Sequence, residues 1–125
     1  LSGERADKRR AHWQAIAIAS CEQCGRNRVP SVLAPQPLAA WLAALGDQAD
    51  DEARWLLGWR DARPWRETTP AASTLVLSGP EGGLTADEEA LATSRGFATL
   101  GLGPRVLRAD TAPLAVLAAL ALRAA

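Results

Sequence analysis

The segment that most restricts the fold is Leu77-Ser78-Gly79-Pro80-Glu81-Gly82-Gly83-Leu84, which joins an aliphatic run to a helix start. Before it, Thr74-Leu75-Val76-Leu77 has the β-branched and aliphatic character of a buried strand. After it, Thr85-Ala86-Asp87-Glu88 has capping-box spacing, with Thr85 as N-cap and Glu88 reaching back to it. Three glycines within five positions let the backbone approach a ligand closely. No Gly-Lys-Ser/Thr follows, so this is not a P-loop, and the dinucleotide fingerprint Gly-x-Gly-x-x-Gly is absent. Taken alone, the segment also fits a tight strand-to-helix turn with no ligand.

A second segment repeats the arrangement. Residues 97–102 read as a strand and lead into Leu102-Gly103-Pro104-Arg105-Val106-Leu107-Arg108-Ala109-Asp110-Thr111. The last helix starts near Asp110 or Thr111, where Pro113 is tolerated because first-turn amides need no partner. A rigid Gly-Pro turn is thereby coupled to two arginines, whose planar donor forks suit phosphates and base edges. In a parallel sheet both loops lie at the carboxyl edge of their strands, where ligands bind.

The remaining chain fits between helices and strands. Apolar residues recur at helical spacing over 4–24 (Trp13, Ile16, Ala17, Cys21, Cys24), and Gly25 suits the helix end. A short strand is expected over 29–33, broken by Pro35 and Pro37, then a helix over 38–45 stopped by Gly46. Residues 53–59 are apolar enough for a buried strand, and 60–72, with Pro64 and Pro70, read as a loop. Strands alternating with helices predict an α/β fold with a mostly parallel sheet flanked by helices. A length of 125 residues predicts one domain with one core. A chain that starts at Leu1 and lacks methionine reads as an excerpt from a longer protein. No signal peptide and no membrane-spanning apolar run is visible, so a cytoplasmic location is expected.

Charge is balanced overall but uneven along the chain. Residues 1–30 carry six Lys/Arg against three acids, 95–125 carry four against one, and 31–94 carry four against ten. Basic ends that meet in space would face an anionic partner; solvated helix faces explain the same counts. Cys21 and Cys24 are too few for a zinc site even with His12, and they sit late in a helical pattern, so they read as small packing residues and no metal is expected. His12, the single histidine, reads as solvated. Trp13, Trp41, Trp55 and Trp59 read as packing residues; Trp65, between Arg63 and Arg66, is the one suited to stacking.

Three stretches carry a resemblance. Glu22-Gln23-x-Gly25-Arg26-Asn27-Arg28-x-Pro30, Gly79-Pro80-Glu81-Gly82-Gly83 and Leu102-Gly103-x-Arg105-x-Leu107-Arg108-x-x-Thr111-Ala112 are similar, in order, to the signatures of the RsmE family. That family comprises small-subunit ribosomal RNA uridine-N3 methyltransferases of the SPOUT superfamily. The resemblance covers most of the chain from Trp13 onward, and little of 38–69. It implies a C-terminal trefoil knot, S-adenosyl-L-methionine as cofactor, and a homodimer whose active site is completed near the interface. It also implies small-subunit ribosomal RNA as partner, in an assembled or partly assembled subunit. On this reading 1–125 is a catalytic domain truncated at its N-terminal side, without the family's N-terminal RNA-binding domain.

The implied cofactor contacts are Leu77, Ser78, Gly79, Pro80, Glu81, Gly82, Gly83, Leu102, Gly103, Arg105, Val106, Leu107 and Thr111. Arg26, Arg28 and Arg105 are implied in RNA binding, and Arg108, Asp110 and Glu22 in catalysis. Arg108 would stabilise a uracil anion, while Asp110 or Glu22 accepts the proton or holds Arg108; an ordinary Arg108–Asp110 salt bridge is the alternative. The family's usual Arg-Thr-Glu-Thr is Arg108-Ala109-Asp110-Thr111 in this chain, so the carboxylate sits on a shorter arm. The Ser-Leu-Asn-Val-Ser motif of ribose methyltransferases is absent, which favours base methylation. An inactive RNA-binding or dimerisation module of the same fold, or another SPOUT RNA methyltransferase, fits the same motifs.

Overall fold

The computed structural model describes residues 3–124, which fall into two compact units divided between Pro37 and Leu38. The first unit holds one helix, α1 (Gly3–Cys24), and an irregular segment after it. The helix ends at Gly25, whose φ of 77° lets the Arg26 amide donate back to the Cys21 carbonyl at 3.0 Å. This 6→1 bond is the Schellman closure that the glycine makes possible.

The strand expected over 29–33 does not form. Pro30, Pro35 and Pro37 lack ladder donors, and side chains of α1 take up the backbone groups instead. Gln14 Oε1 accepts from the Val32 amide at 2.8 Å, and its Nε2 donates to the Pro30 carbonyl at 2.9 Å. One amide side chain thus replaces a neighbouring strand. Cys21 is buried and its thiol lies 3.8 Å from the Arg28 carbonyl, consistent with a packing role. Cys24 is exposed, as is Trp13 at 42%, so neither packs as expected.

The second unit carries the sheet. Its elements are α2 (Leu38–Ala44), β1 (Glu52–Leu57), β2 (Arg63–Pro64), a 3₁₀ turn (Trp65–Glu67), β3 (Ser73–Leu77), α3 (Ala86–Ser94), β4 (Ala98–Gly101) and α4 (Ala112–Ala124). All pairings are parallel, in the order β2-β4-β1-β3. The expected parallel α/β sheet is therefore present, with one addition: β2 is a two-residue edge strand inside the expected 60–72 loop. Pro64 is accepted there because an edge strand has an unpaired side.

Period-two alternation divides the single expected core into two clusters. Leu56 joins Leu42, Ala92 and Phe97, packed by Leu75, Leu77, Trp41 and Leu91 of the neighbouring elements. Trp55 joins Leu100 and Val116, packed by Leu57, Val76, Leu102 and Leu120. Helices α2 and α3 contribute to the first cluster and α4 to the second, which is how a parallel sheet keeps both faces out of water. The capping box of α3 forms as read: the Glu88 amide donates to Thr85 Oγ1 at 3.1 Å, and the Thr85 amide to Glu88 Oε1 at 2.8 Å.

Among the described residues of this unit one charged side chain is buried. Arg54, on β1, is 4% exposed and pairs through Nε with Glu52 Oε1 at 3.0 Å. Its two terminal nitrogens donate to the Arg95 and Gly46 carbonyls, each at 2.6 Å. The side chain thus ties β1 to the loop after α2 and to the end of α3. Arg54→Ala strands two carbonyls and a carboxylate, so a loss of about 3–5 kcal/mol is expected, read from the urea unfolding midpoint.

Candidate functional site

Strand β1 has β3 on one side and β4 on the other, so the chain leaves three adjacent strands at one carboxyl edge. Consecutive strands β3 and β4 flanking β1 make this a topological switch point, where open parallel sheets bind ligands. A cavity of about 510 Å³ lies there, lined by residues following all three strands. That volume is within the roughly 300–1,000 Å³ of small-molecule sites.

The loop after β3 shows why its glycines differ in function. The Gly83 amide donates to the Pro80 carbonyl at 2.8 Å and closes a four-residue turn. Gly83 itself has φ 77°, the left-handed region that a side chain resists. A Cβ at Gly79 would meet the side chain and amide of Leu84 at 3.2 Å, whereas one at Gly82 would meet nothing within 4 Å. Gly79 therefore serves the turn, and Gly82 leaves room beside the cavity.

After β4, Gly103 takes φ 112° and the chain runs to α4 through exposed Arg105, Val106 and Arg108. The Thr111 and Ala112 amides both donate to the Arg108 carbonyl at 3.0 Å, which turns the chain into the helix. Arg108 Nε lies 3.6 Å from Asp110 Oδ1, and the Thr111 hydroxyl donates to the same oxygen at 3.2 Å. Both charged side chains are well exposed, so the pair is worth about 0–1 kcal/mol and Arg108 is free to exchange its partner.

The cavity brings together Ser78, Gly79, Pro80, Glu81, Gly82, Gly83, Leu102, Gly103, Arg105, Val106, Leu107 and Arg108. Three other expected residues of this unit do not line it. Leu77 packs into the cluster around Leu56, Thr111 opens α4, and Asp110 pairs with Arg108. Glu22, Arg26 and Arg28 are carried by the first unit, where all three are exposed. Among the described residues no group of acids, cysteines and histidine is placed to hold a metal.

Sequence reasoning missed the turn after β1. Leu57, Gly58, Trp59 and Arg60 all line the cavity, because β1 is an inner strand between β3 and β4. The available signal was the parallel sheet itself, in which an inner strand must also end at the ligand edge. The tryptophans are redistributed accordingly. Trp59, read as packed, is 65% exposed with the Arg60 guanidinium 5.3 Å from its ring centre. Trp65, read as free for stacking, is half-buried against the Leu100 cluster. The Arg123 guanidinium covers its ring at 3.8 Å and also donates to Thr68 Oγ1 at 2.7 Å.

Residues 1–121 match a family described as the RNA methyltransferase domain. The Bacillus subtilis (strain 168) ribosomal RNA small subunit methyltransferase E is 32% identical over 96% of this chain and 49% of its own length. A crystal structure of ribosomal RNA small subunit methyltransferase E from Neisseria gonorrhoeae, bound to S-adenosyl methionine, superposes with TM-score 0.83 at 37% identity, over 95% of this chain and 51% of that one. A Legionella pneumophila protein in complex with the bound cofactor SAM superposes with TM-score 0.85 at 33% identity, over 96% and 48%. The chain spans about half the length of these relatives.

The two glycines at the turn separate by substitution. Gly83→Ala is expected to cost about 1–2 kcal/mol, the strain of a left-handed L-residue. Gly82→Ala, which meets no atom, should be neutral or slightly stabilising, within about 1 kcal/mol. Chemical unfolding of both variants checks the contrast.

Proposed function

Because this chain belongs to the RNA methyltransferase domain family, we propose that it binds S-adenosyl-L-methionine and methylates N3 of a uridine in small-subunit ribosomal RNA. The observation that carries the reading is the cavity shared by the loops after β3 and β4 at the switch point. The residues suit such a cofactor. Leu102, Val106 and Leu107 offer apolar surface to a flat adenine, and the open space at Gly82 and Gly103 gives a ligand access to backbone amides and carbonyls.

When bound, S-adenosylmethionine supplies a methyl group on a positively charged sulfur, which keeps the bonding electron pair as the methyl leaves. The chain's own contribution is positioning and charge. Holding the acceptor nitrogen about 3–3.5 Å from the methyl carbon makes the encounter intramolecular. Uracil N3 attacks after its proton passes to water, and Arg108 stabilises the resulting imide anion from the cavity wall. Asp110, beside the cavity rather than in it, orients Arg108. Arg26, Arg28 and Arg105 contact RNA phosphates in this reading.

The superfamily's trefoil knot, formed by the segment after β4, belongs to the same proposal. So do a homodimer, a ribosomal substrate that is at least partly assembled, and action in the cytoplasm. Among the described residues no helix is long and apolar enough to cross a membrane.

Calorimetric titration of the chain with S-adenosylmethionine is expected to saturate, and Gly82→Trp, which fills the open space, should abolish the signal. An equal titration by both proteins would refute the site. Arg108→Ala should lower methyl transfer to small-subunit RNA by about 10²–10³, with cofactor affinity retained. Transfer from labelled S-adenosylmethionine measures this and separates an enzyme from an inactive binding module.

A further inference from the structure

An indole exposed at 65% on a folded chain is unusual, since tryptophan carries more apolar surface than any other side chain. Trp59 follows closely on the end of β1. The Gly58 amide still donates to the Leu100 carbonyl at 3.2 Å, so the strand ladder runs to the residue before it. The chain then turns at Arg60 and Asp61, where Asp61 takes φ 52°, and re-enters the sheet at Arg63. Five residues thus join two strands, and Trp59 sits on a short tether at the cavity.

The chemistry around the ring has a direction. Arg60 lies over the indole at 5.3 Å, and Arg105 and Arg108 line the same cavity. An aromatic face beside several guanidinium groups is the combination that single-stranded RNA recognition uses: the ring stacks a splayed base and the cations hold its phosphates. The residues that wall the cavity more deeply, such as Leu56 at 5% exposure, have no face left for a large partner. Trp59 has.

We propose that Trp59, with Arg60, is a stacking platform that receives an unpaired RNA base at the mouth of the cavity. The proposal rests on the RNA-methylation reading and adds to it a positioning residue for the substrate. A base stacked on the indole fixes the nucleotide strand relative to the loops after β3 and β4, and limits the substrate to RNA that is already unpaired or easily opened. Stacking is tolerant of base identity, so Trp59 sets presentation of the strand and not its sequence.

The test measures RNA and cofactor binding separately on the whole chain. Binding of a fluorescein-labelled oligouridylate is followed by anisotropy, and binding of S-adenosylmethionine by calorimetry. Trp59→Ala is expected to weaken the oligouridylate about tenfold, equivalent to about 1.4 kcal/mol. Trp59→Phe, which keeps a π face, should recover affinity to within about threefold of the unsubstituted chain. Because Trp59 lines the cavity, the cofactor titration is read in both variants as well, and a loss of oligouridylate affinity well beyond any loss of cofactor affinity supports the platform.

An unchanged oligouridylate affinity in Trp59→Ala overturns the platform. So does a parallel loss of cofactor affinity, which would assign the indole to the adenine. An unsubstituted chain that binds S-adenosylmethionine but no oligouridylate overturns it as well, while the cofactor reading stands. Failure to bind S-adenosylmethionine would instead remove the proposed function, and the oligouridylate comparison would still decide the role of Trp59.

Discussion

Pairing of β1 on both of its edges is the constraint on which the rest of the second unit depends. A strand with parallel neighbours on each side has no free edge and must be covered on both faces, so its residues alternate between two apolar clusters. Arg54 is the exception within that strand, and it is accommodated because every donor has a partner: one carboxylate and two carbonyls from flanking loops. The same pairing brings the ends of β3 and β4 to either side of β1. The cavity follows from the strand order before any side chain in it is considered.

The unit divides its work between dry and wet parts. Leu42, Leu100 and Val116 are fully buried and hold the sheet to its helices. The arginines at the cavity are exposed, and the ion pair that Arg108 makes with Asp110 beside it is too weakly coupled to lock Arg108 in place. A guanidinium in this state can be re-aimed when a ligand excludes water, at which point its charge acts through a lower dielectric. Glycine turns supply the shape, and exposed arginines supply the charge.

Local chemistry was the legible part of the sequence. The Thr85/Glu88 capping box, the Gly25 helix end and the strand–glycine turn–helix pattern depend on residues a few positions apart, and each formed as read. Readings that depended on distant partners fared worse. The strand expected over 29–33 was lost to Gln14, a residue sixteen to eighteen positions away whose amide satisfies the same backbone groups. The roles of Trp59 and Trp65 were exchanged for a related reason. Apolar continuity extended β1 past its true end at Leu57, and nothing near Trp65 shows that Arg123 covers it.

By itself the sequence determined most element types, though not the irregular 29–33 or the edge strand β2, together with the two glycine loops and the parallel α/β class, because periodicity, caps and turn glycines act over one or two turns of chain. Tertiary structure alone decided the strand order β2-β4-β1-β3, and with it the entry of Gly58, Trp59 and Arg60 into the cavity. It also decided that Leu77, Asp110 and Thr111 stand outside that cavity. Strand order is set by which apolar faces pack together across the whole unit, and no residue's immediate neighbours in the chain carry that information.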